Sequence, residues 1–136
     1  LLPLLQKGQI GLTSDTEVWQ GRRRFGKAPD VATAKEMLEA LSGTTHEVHS
    51  SMTVIDPENL VPMRSVVSTV VVHFHPIPHW AIDHYIEAFK PFDKAGAYGI
   101  QEWIGQAYIK RIEGNYNSVV GLDTAELVHM LEPYFQ

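Results

Sequence analysis

The chain has 136 residues, of which 44% are hydrophobic and 20% charged, which fits one globular domain with a real core and excludes a wholly disordered chain. It has no cysteine, so disulfides and thiolate metal sites are excluded, and no apolar run reaches the ~20 residues a membrane span needs. A net charge of −5 argues against binding nucleic acid polymers, so a polyanionic ligand would have to meet a local cluster of cations.

The sequence opens Leu1-Leu2-Pro3-Leu4-Leu5, with no initiator methionine and no charged leader. It reads as the severed end of a helix rather than a signal peptide, and a preceding N-terminal segment is expected. Residues 10–16 read as a short strand that ends near Asp15, with Glu17-Val18-Trp19 continuing the extended run. Asp15 is either a turn residue or a metal ligand and general base at a strand end. Gln20-Gly21-Arg22-Arg23 is a turn, followed by Arg24, Phe25, Gly26 and Lys27. Arg22, Arg23, Arg24 and Lys27 form either a solvated face or a patch that meets a triphosphate.

A helix follows. Asp30 is a good N-cap, Ala34, Met37, Leu38 and Leu41 recur at helical spacing, and Gly43 suits the C-terminal stop. Residues 47–55 and 65–74 read as two strands of a long hairpin, joined through the turn cluster Asp56-Pro57-Glu58-Asn59. His73 and His75 share a face of the second strand, and His79, Asp83 and His84 come soon after. The cluster reads as a polar strand end leading into a helix. Zinc is the alternative, but no pair has the His-x-x-x-His helical spacing.

Pro78 opens a second helix with Ile82, Tyr85, Ile86 and Phe89 on one face, and Pro91 closes it. Residues 107–113 alternate like a strand, Gly114-Asn115 turns, and residues 116–120 are expected to return as another strand. Asp123-Thr124-Ala125-Glu126 starts the last helix, which carries Leu127, Val128 and Leu131 and stops at Pro133. No internal repeat, low-complexity tract or second domain boundary is visible.

Between the second helix and the last strands lies Asp93-Lys94-Ala95-Gly96-Ala97-Tyr98-Gly99-Ile100-Gln101. It is too glycine-rich for a helix interior and too poor in branched residues for a core strand. It is either a solvated loop or a loop whose glycines let a ligand approach the backbone. This stretch resembles the D-K-A-G-A-Y-G-I-Q signature of one branch of the Maf family of nucleotide pyrophosphatases, at every position. Further likeness lies in Ser14-Asp15-Thr16 (A-D-T in the family), Gly26-Lys27 (G-K-P), residues 41–46 (L-S-G-x-T-H), residues 111–116 (I-E-G-x-Y) and residues 119–122 (V-x-G-L).

The resemblance implies an α/β fold, with a mixed twisted sheet and flanking helices around a nucleotide cleft, and a single domain over residues 1–136. It implies hydrolysis of a nucleoside triphosphate, dTTP or UTP for this branch, to the monophosphate and pyrophosphate. Asp15 would activate water and help hold a divalent cation, Mg²⁺ or Mn²⁺. Thr16 and Gln101 would bear on substrate choice, and Lys27 and Lys94 would hold phosphates. A cytoplasmic homodimer is the family expectation. Nothing here matches the family's opening strand and S-x-S-P-R-R phosphate loop, and Ser50-Ser51-Met52 stands in place of T-G-V. The missing loop implies reduced activity for this segment alone, and the alternative is a non-catalytic nucleotide- or protein-binding module of the same fold.

Overall fold

In a computed structural model, residues 4–58 and 63–135 are described. The first three residues of the expected helix end, and Asn59 of the turn cluster, lie outside them. The elements run β1 (Gly11–Gln20), β2 (Arg23–Phe25), α1 (Val31–Leu41), β3 (Thr45–Ile55), β4 (Arg64–Phe74), α2 (His79–Phe89), α3 (Trp103–Tyr108), β5 (Ile109–Glu113), α4 (Tyr116–Val120) and α5 (Thr124–Leu131). A single 3₁₀ turn, Glu132–Tyr134, follows α5 and contains Pro133. No helix among the described residues is long and apolar enough to cross a membrane.

The sheet order is β2-β1-β3-β4-β5. The expected mixture of strand directions is corrected here, because every described ladder is antiparallel. β1 and β2 are joined by a tight turn and β3 and β4 form the long hairpin, while α1 intervenes before β3 and α2 and α3 before β5, each returning the chain antiparallel to its neighbour. The long hairpin of β3 and β4 is present as expected. Its alternation places His46, Val48, Ser50, Met52 and Val54 on the covered face and leaves Glu47 and Ser51 exposed on the other.

Two apolar clusters cover that one face. The larger gathers Val18, Val48, Val70, Val72 and Phe74 of the sheet with Ala34, Leu38 and Leu41 of α1 and Ala81, Ile82, Tyr85 and Ile86 of α2. The smaller joins Met52 and Val54 to Met130, with Leu122 and Leu127 packed around them. Each fully buried aliphatic side chain contributes about 1.5–3 kcal/mol of transfer free energy, so the larger cluster dominates stability. Asp30 caps α1 as expected, accepting the Thr33 amide at 2.7 Å.

Two further readings are corrected. Residues 116–120 form α4, not a strand: the Asn115 side chain accepts the Asn117 amide at 2.8 Å and starts a helical turn. Residues 107 and 108 belong to α3, so β5 begins only at Ile109. In both places the branched or aromatic residues carry strand propensity, and tertiary packing overrides it.

Candidate active site

β1 pairs with β2 only over Val18–Gln20, which leaves its outer edge unpaired before Val18 among the described residues. Along that edge, Ser14, Asp15, Thr16 and Glu17 border a cavity of about 540 Å³. The exit from β2 (Gly26 and Lys27), the loop 93–101 and the turn at Val119, Val120 and Gly121 form the other walls. All five sequence candidates, Asp15, Thr16, Lys27, Lys94 and Gln101, line this one cavity. Asp15 also borders a second, more open depression of about 570 Å³ on the open face, shared with Glu17, Glu47 and His49.

The loop is held against β2's exit by backbone pairing. Lys27 and Ala95 form an isolated antiparallel bridge, and the Gly96 amide donates to the Gly26 carbonyl at 3.1 Å. This bridge brings Lys27 and Lys94 to one rim. Gly96 has a φ of 71°, and a Cβ there would sit 3.2 Å from Val18 Cγ1. Ala97 adopts a φ of 57° while its methyl is fully buried. A left-handed alanine costs of order 1–2 kcal/mol, so the surrounding packing holds the loop in one shape. Both glycines make room for neighbouring side chains, Val18 beside Gly96 and Lys94 and Glu102 beside Gly99, and Gly99 also lines the cavity.

The two lysines differ. Lys94 Nζ lies 3.0 Å from Asp93 Oδ1 and 3.2 Å from Glu102 Oε1. Partial burial alone would lower its pKa, but hydrogen bonds and charge from these two carboxylates carry it above the usual lysine value. Lys27 is exposed and forms no ion pair among the described residues. Of the arginine run, Arg24 reaches the cavity while pairing with Glu17 Oε1 at 2.9 Å, and Arg23 turns away to Glu36 at 2.8 Å. The triphosphate-patch reading therefore narrows to Arg24 and Lys27.

Beneath the β1 edge runs a row of hydroxyls whose alignment sequence reading missed. Thr16 pairs in register with Ser50, and Ser50 with Ser68, across three strands. Thr16 Oγ1 is 3.1 Å from Ser50 Oγ, and Ser50 donates to the Ser118 carbonyl. Asp123, 7% exposed, accepts from Ser68 at 2.7 Å and Ser118 at 3.0 Å, and caps α5 through the Glu126 amide at 3.1 Å. Burial would raise the Asp123 pKa, yet these hydrogen bonds hold it below the ordinary value. Ser14 Oγ donates to the Gly121 carbonyl at 2.8 Å. Together these bonds fasten the Val119–Gly121 wall onto β1 and β3. Asp15 itself accepts the Thr16 amide on Oδ1 at 2.9 Å and is otherwise exposed to the cavity.

Behind the loop, His46 Nε2 lies 2.7 Å from the Tyr98 hydroxyl, and His46 Nδ1 has no partner among the described residues. Desolvation, with a smaller contribution from nearby His73, lowers the His46 pKa to about 4. The alternation of β3, which puts His46 on the same face as Val48, is the signal that could have marked it as buried. Of the histidines in the expected cluster, His73 meets Thr45 at 2.9 Å, His79 meets Glu39 at 3.1 Å and His84 packs edge-on to Trp103. No group of three or more His, Asp or Glu side chains among the described residues is placed to hold a metal ion.

A family model described as Maf-like protein matches residues 2–134. The chain is 43% identical over 124 residues to a dTTP/UTP pyrophosphatase of Cytophaga hutchinsonii, covering 91% of this chain and 56% of that protein. It is 41% identical over 128 residues to the dTTP/UTP pyrophosphatase of Christiangramia forsetii, with 94% and 64% covered. A Bacillus cytotoxicus protein of the same name is 42% identical over 125 residues, with 92% and 63% covered. The chain thus spans between half and two thirds of the length of these relatives.

Proposed function

Because this chain belongs to the Maf family, we propose that the protein hydrolyses dTTP and UTP to the nucleoside monophosphate and pyrophosphate in the cleft beside β1. The observation that carries this reading is the convergence of Asp15, Thr16, Lys27, Lys94 and Gln101 on one cavity. They come from three separate segments of the chain. The cavity, at about 540 Å³, lies within the ~300–1,000 Å³ range of small-molecule sites.

Water attacks the α-phosphorus, the new bond forms on the side of Asp15, and the bond to the bridging oxygen breaks. The water proton goes to the Asp15 carboxylate, and the electron pair leaves with pyrophosphate. Lys27 and Lys94, on one rim, neutralise charge on the departing phosphates. Gln101, exposed at the end of the loop, offers an amide donor and acceptor to the edge of a pyrimidine ring. Thr16, tied to Ser50, forms the adjoining floor.

Asp15 fits a divalent cation of the Mg²⁺ or Mn²⁺ type, because one carboxylate oxygen is engaged by an amide and the other is not, and such ions use one or two carboxylates plus substrate phosphates. Bound there, the cation would supply charge neutralisation on the phosphoryl oxygens. The domain of residues 1–136 is read as the cleft-bearing part of a cytoplasmic enzyme.

The test is pyrophosphate release from dTTP, UTP, CTP, GTP and ATP with Mg²⁺, using the full-length protein and its Asp15→Asn variant. Release should favour dTTP and UTP, and D15N should lose about 10²–10⁴-fold in turnover while still binding nucleotide. Undiminished turnover in D15N would remove Asp15 from its role. Nucleotide binding without release by the wild type would leave a binding module in place of an enzyme.

A further inference from the structure

Tyr85 of α2 is fully buried, and its oxygen serves two groups of the loop region. It accepts the Gly99 amide at 3.0 Å, and its own hydrogen goes to Glu102 Oε2. The other oxygen of that carboxylate, Oε1, meets Lys94 Nζ at 3.2 Å. A Cβ on Gly99 would stand 3.0 Å from Lys94 Cε and 3.0 Å from Glu102 Cδ. The ion pair therefore crosses directly over Gly99, in the space a side chain would fill. A chain of contacts runs from the core of α2, through one carboxylate, to a lysine on the rim of the cleft.

We propose that Glu102 is a positioning residue: anchored by Tyr85, it aims Lys94 at the phosphate end of the cleft. The inference rests on the nucleotide-hydrolysis reading of that cleft. A lysine on a flexible four-carbon stem loses rotamer freedom when it grips a phosphate, and a lysine already fixed by a partner loses less. The geometry has this form. Lys94 is about three quarters buried along its side chain and Glu102 more so, whereas Asp93, its second partner, is 76% exposed. Of the two carboxylates, Glu102 is the one held by the core.

The idea can be separated from simple electrostatics because the two predict opposite signs. Glu102 is a negative charge beside a polyanionic substrate. If charge were all, its removal would favour the nucleotide and raise kcat/KM. If Glu102 aims Lys94, removal lowers it. Glu102→Gln keeps an acceptor for the Tyr85 hydroxyl but turns the other arm into a donor that cannot pair with an ammonium.

The experiment is a double-mutant cycle on the full-length protein with dTTP: wild type, E102Q, Lys94→Ala and the combination. E102Q should lower kcat/KM about tenfold, and in the K94A background it should change nothing further. A rise or no change in E102Q overturns the proposal. So does an equal loss in the K94A background, which would mark Glu102 as structural only. Should E102Q not fold, Tyr85→Phe takes its place, with a smaller loss of the same sign that also vanishes in K94A; a loss that persists there overturns the proposal too. If the wild type releases no pyrophosphate, it is the hydrolysis reading that has failed, and the same cycle read as dTTP affinity by calorimetry decides the role of Glu102. Affinities that do not change when Lys94 or Glu102 is replaced, or no dTTP binding at all, would overturn it.

Discussion

Lowering the pH from 7 to 4 protonates an ordinary imidazole, and His46 is placed to resist. It is 2% exposed, stacks on Phe74 with ring centroids 5.4 Å apart, and touches Tyr98 through Nε2. A second proton on the ring would bring a charge into an apolar site and make both ring nitrogens donors, although Nδ1 has no acceptor among the described residues. The folded pKa is therefore pulled from 6.5 to about 4. Between those values the unfolded chain binds a proton that the folded chain refuses. Stability from this residue is whole above about pH 6.5 and declines as the pH falls through that window towards 4. At about 1.4 kcal/mol per pH unit, the loss amounts to about 3 kcal/mol. Urea unfolding at a series of pH values measures it, with His46→Gln as the control that cannot titrate. Carboxylates contribute to both proteins, so the difference between the two curves isolates the imidazole. The wild type should lose about 3 kcal/mol more than H46Q between pH 7 and 4, even though H46Q starts lower. Parallel curves would refute the argument, as would an NMR titration of His46 near 6.5.

Two further perturbations test the frame around the cleft. Asp123→Ala removes the cap of α5 and strands the Ser68 and Ser118 hydroxyls, and should cost about 2–4 kcal/mol by chemical denaturation; a cost under 1 kcal/mol would show that the hydroxyl row is slack. Gly105→Ala would put a Cβ 2.0 Å from the Ile100 carbonyl oxygen, a backbone atom with little freedom, and should destabilise by about 3 kcal/mol, seen as a lowered Tm in circular dichroism.

The sequence makes the helices and the hairpin readable because each has its own local signature. Asp30, the stripe from Ala34 to Leu41 and the run of valines in β4 all report their structure without help from distant residues. Residues 116–120 carry no such signature. Tyr-Asn-Ser-Val-Val reads as a strand by propensity, and it becomes helical because Asn115 caps it and Ser118 is drawn to Asp123. The direction of the sheet was likewise out of reach, since pairing depends on how the chain returns. The candidate site was legible in its chemistry. Asp15, Lys27 and the loop could be named from residue type and motif, while the engagement of Lys94 by Glu102 depends on a crossing over Gly99 that no spacing rule reveals.

The hydroxyl row shows why the cleft lies where it does. Along β3 the covered face reads His46, Val48, Ser50, Met52, Val54, and the one small polar residue falls between the two apolar clusters. In β4 the same gap is Ser68, and in β1 it is Thr16. In sequence nothing links Thr16, Ser50 and Ser68, which lie on three strands; only the antiparallel register aligns them. Ser50 is buried and Thr16 and Ser68 are half-buried, so the aligned row needs partners, since an unsatisfied buried hydroxyl would cost about 1–3 kcal/mol. Asp123 and the Ser118 carbonyl meet that need at the inner end. At the outer end the row runs out at β1, whose edge before Val18 is unpaired among the described residues and faces the cavity. A polar seam through the core thus emerges at a strand edge beside Asp15. The same bonds that satisfy the seam hold the Val119–Gly121 wall, so loss of Asp123 should loosen the cleft as well as the fold.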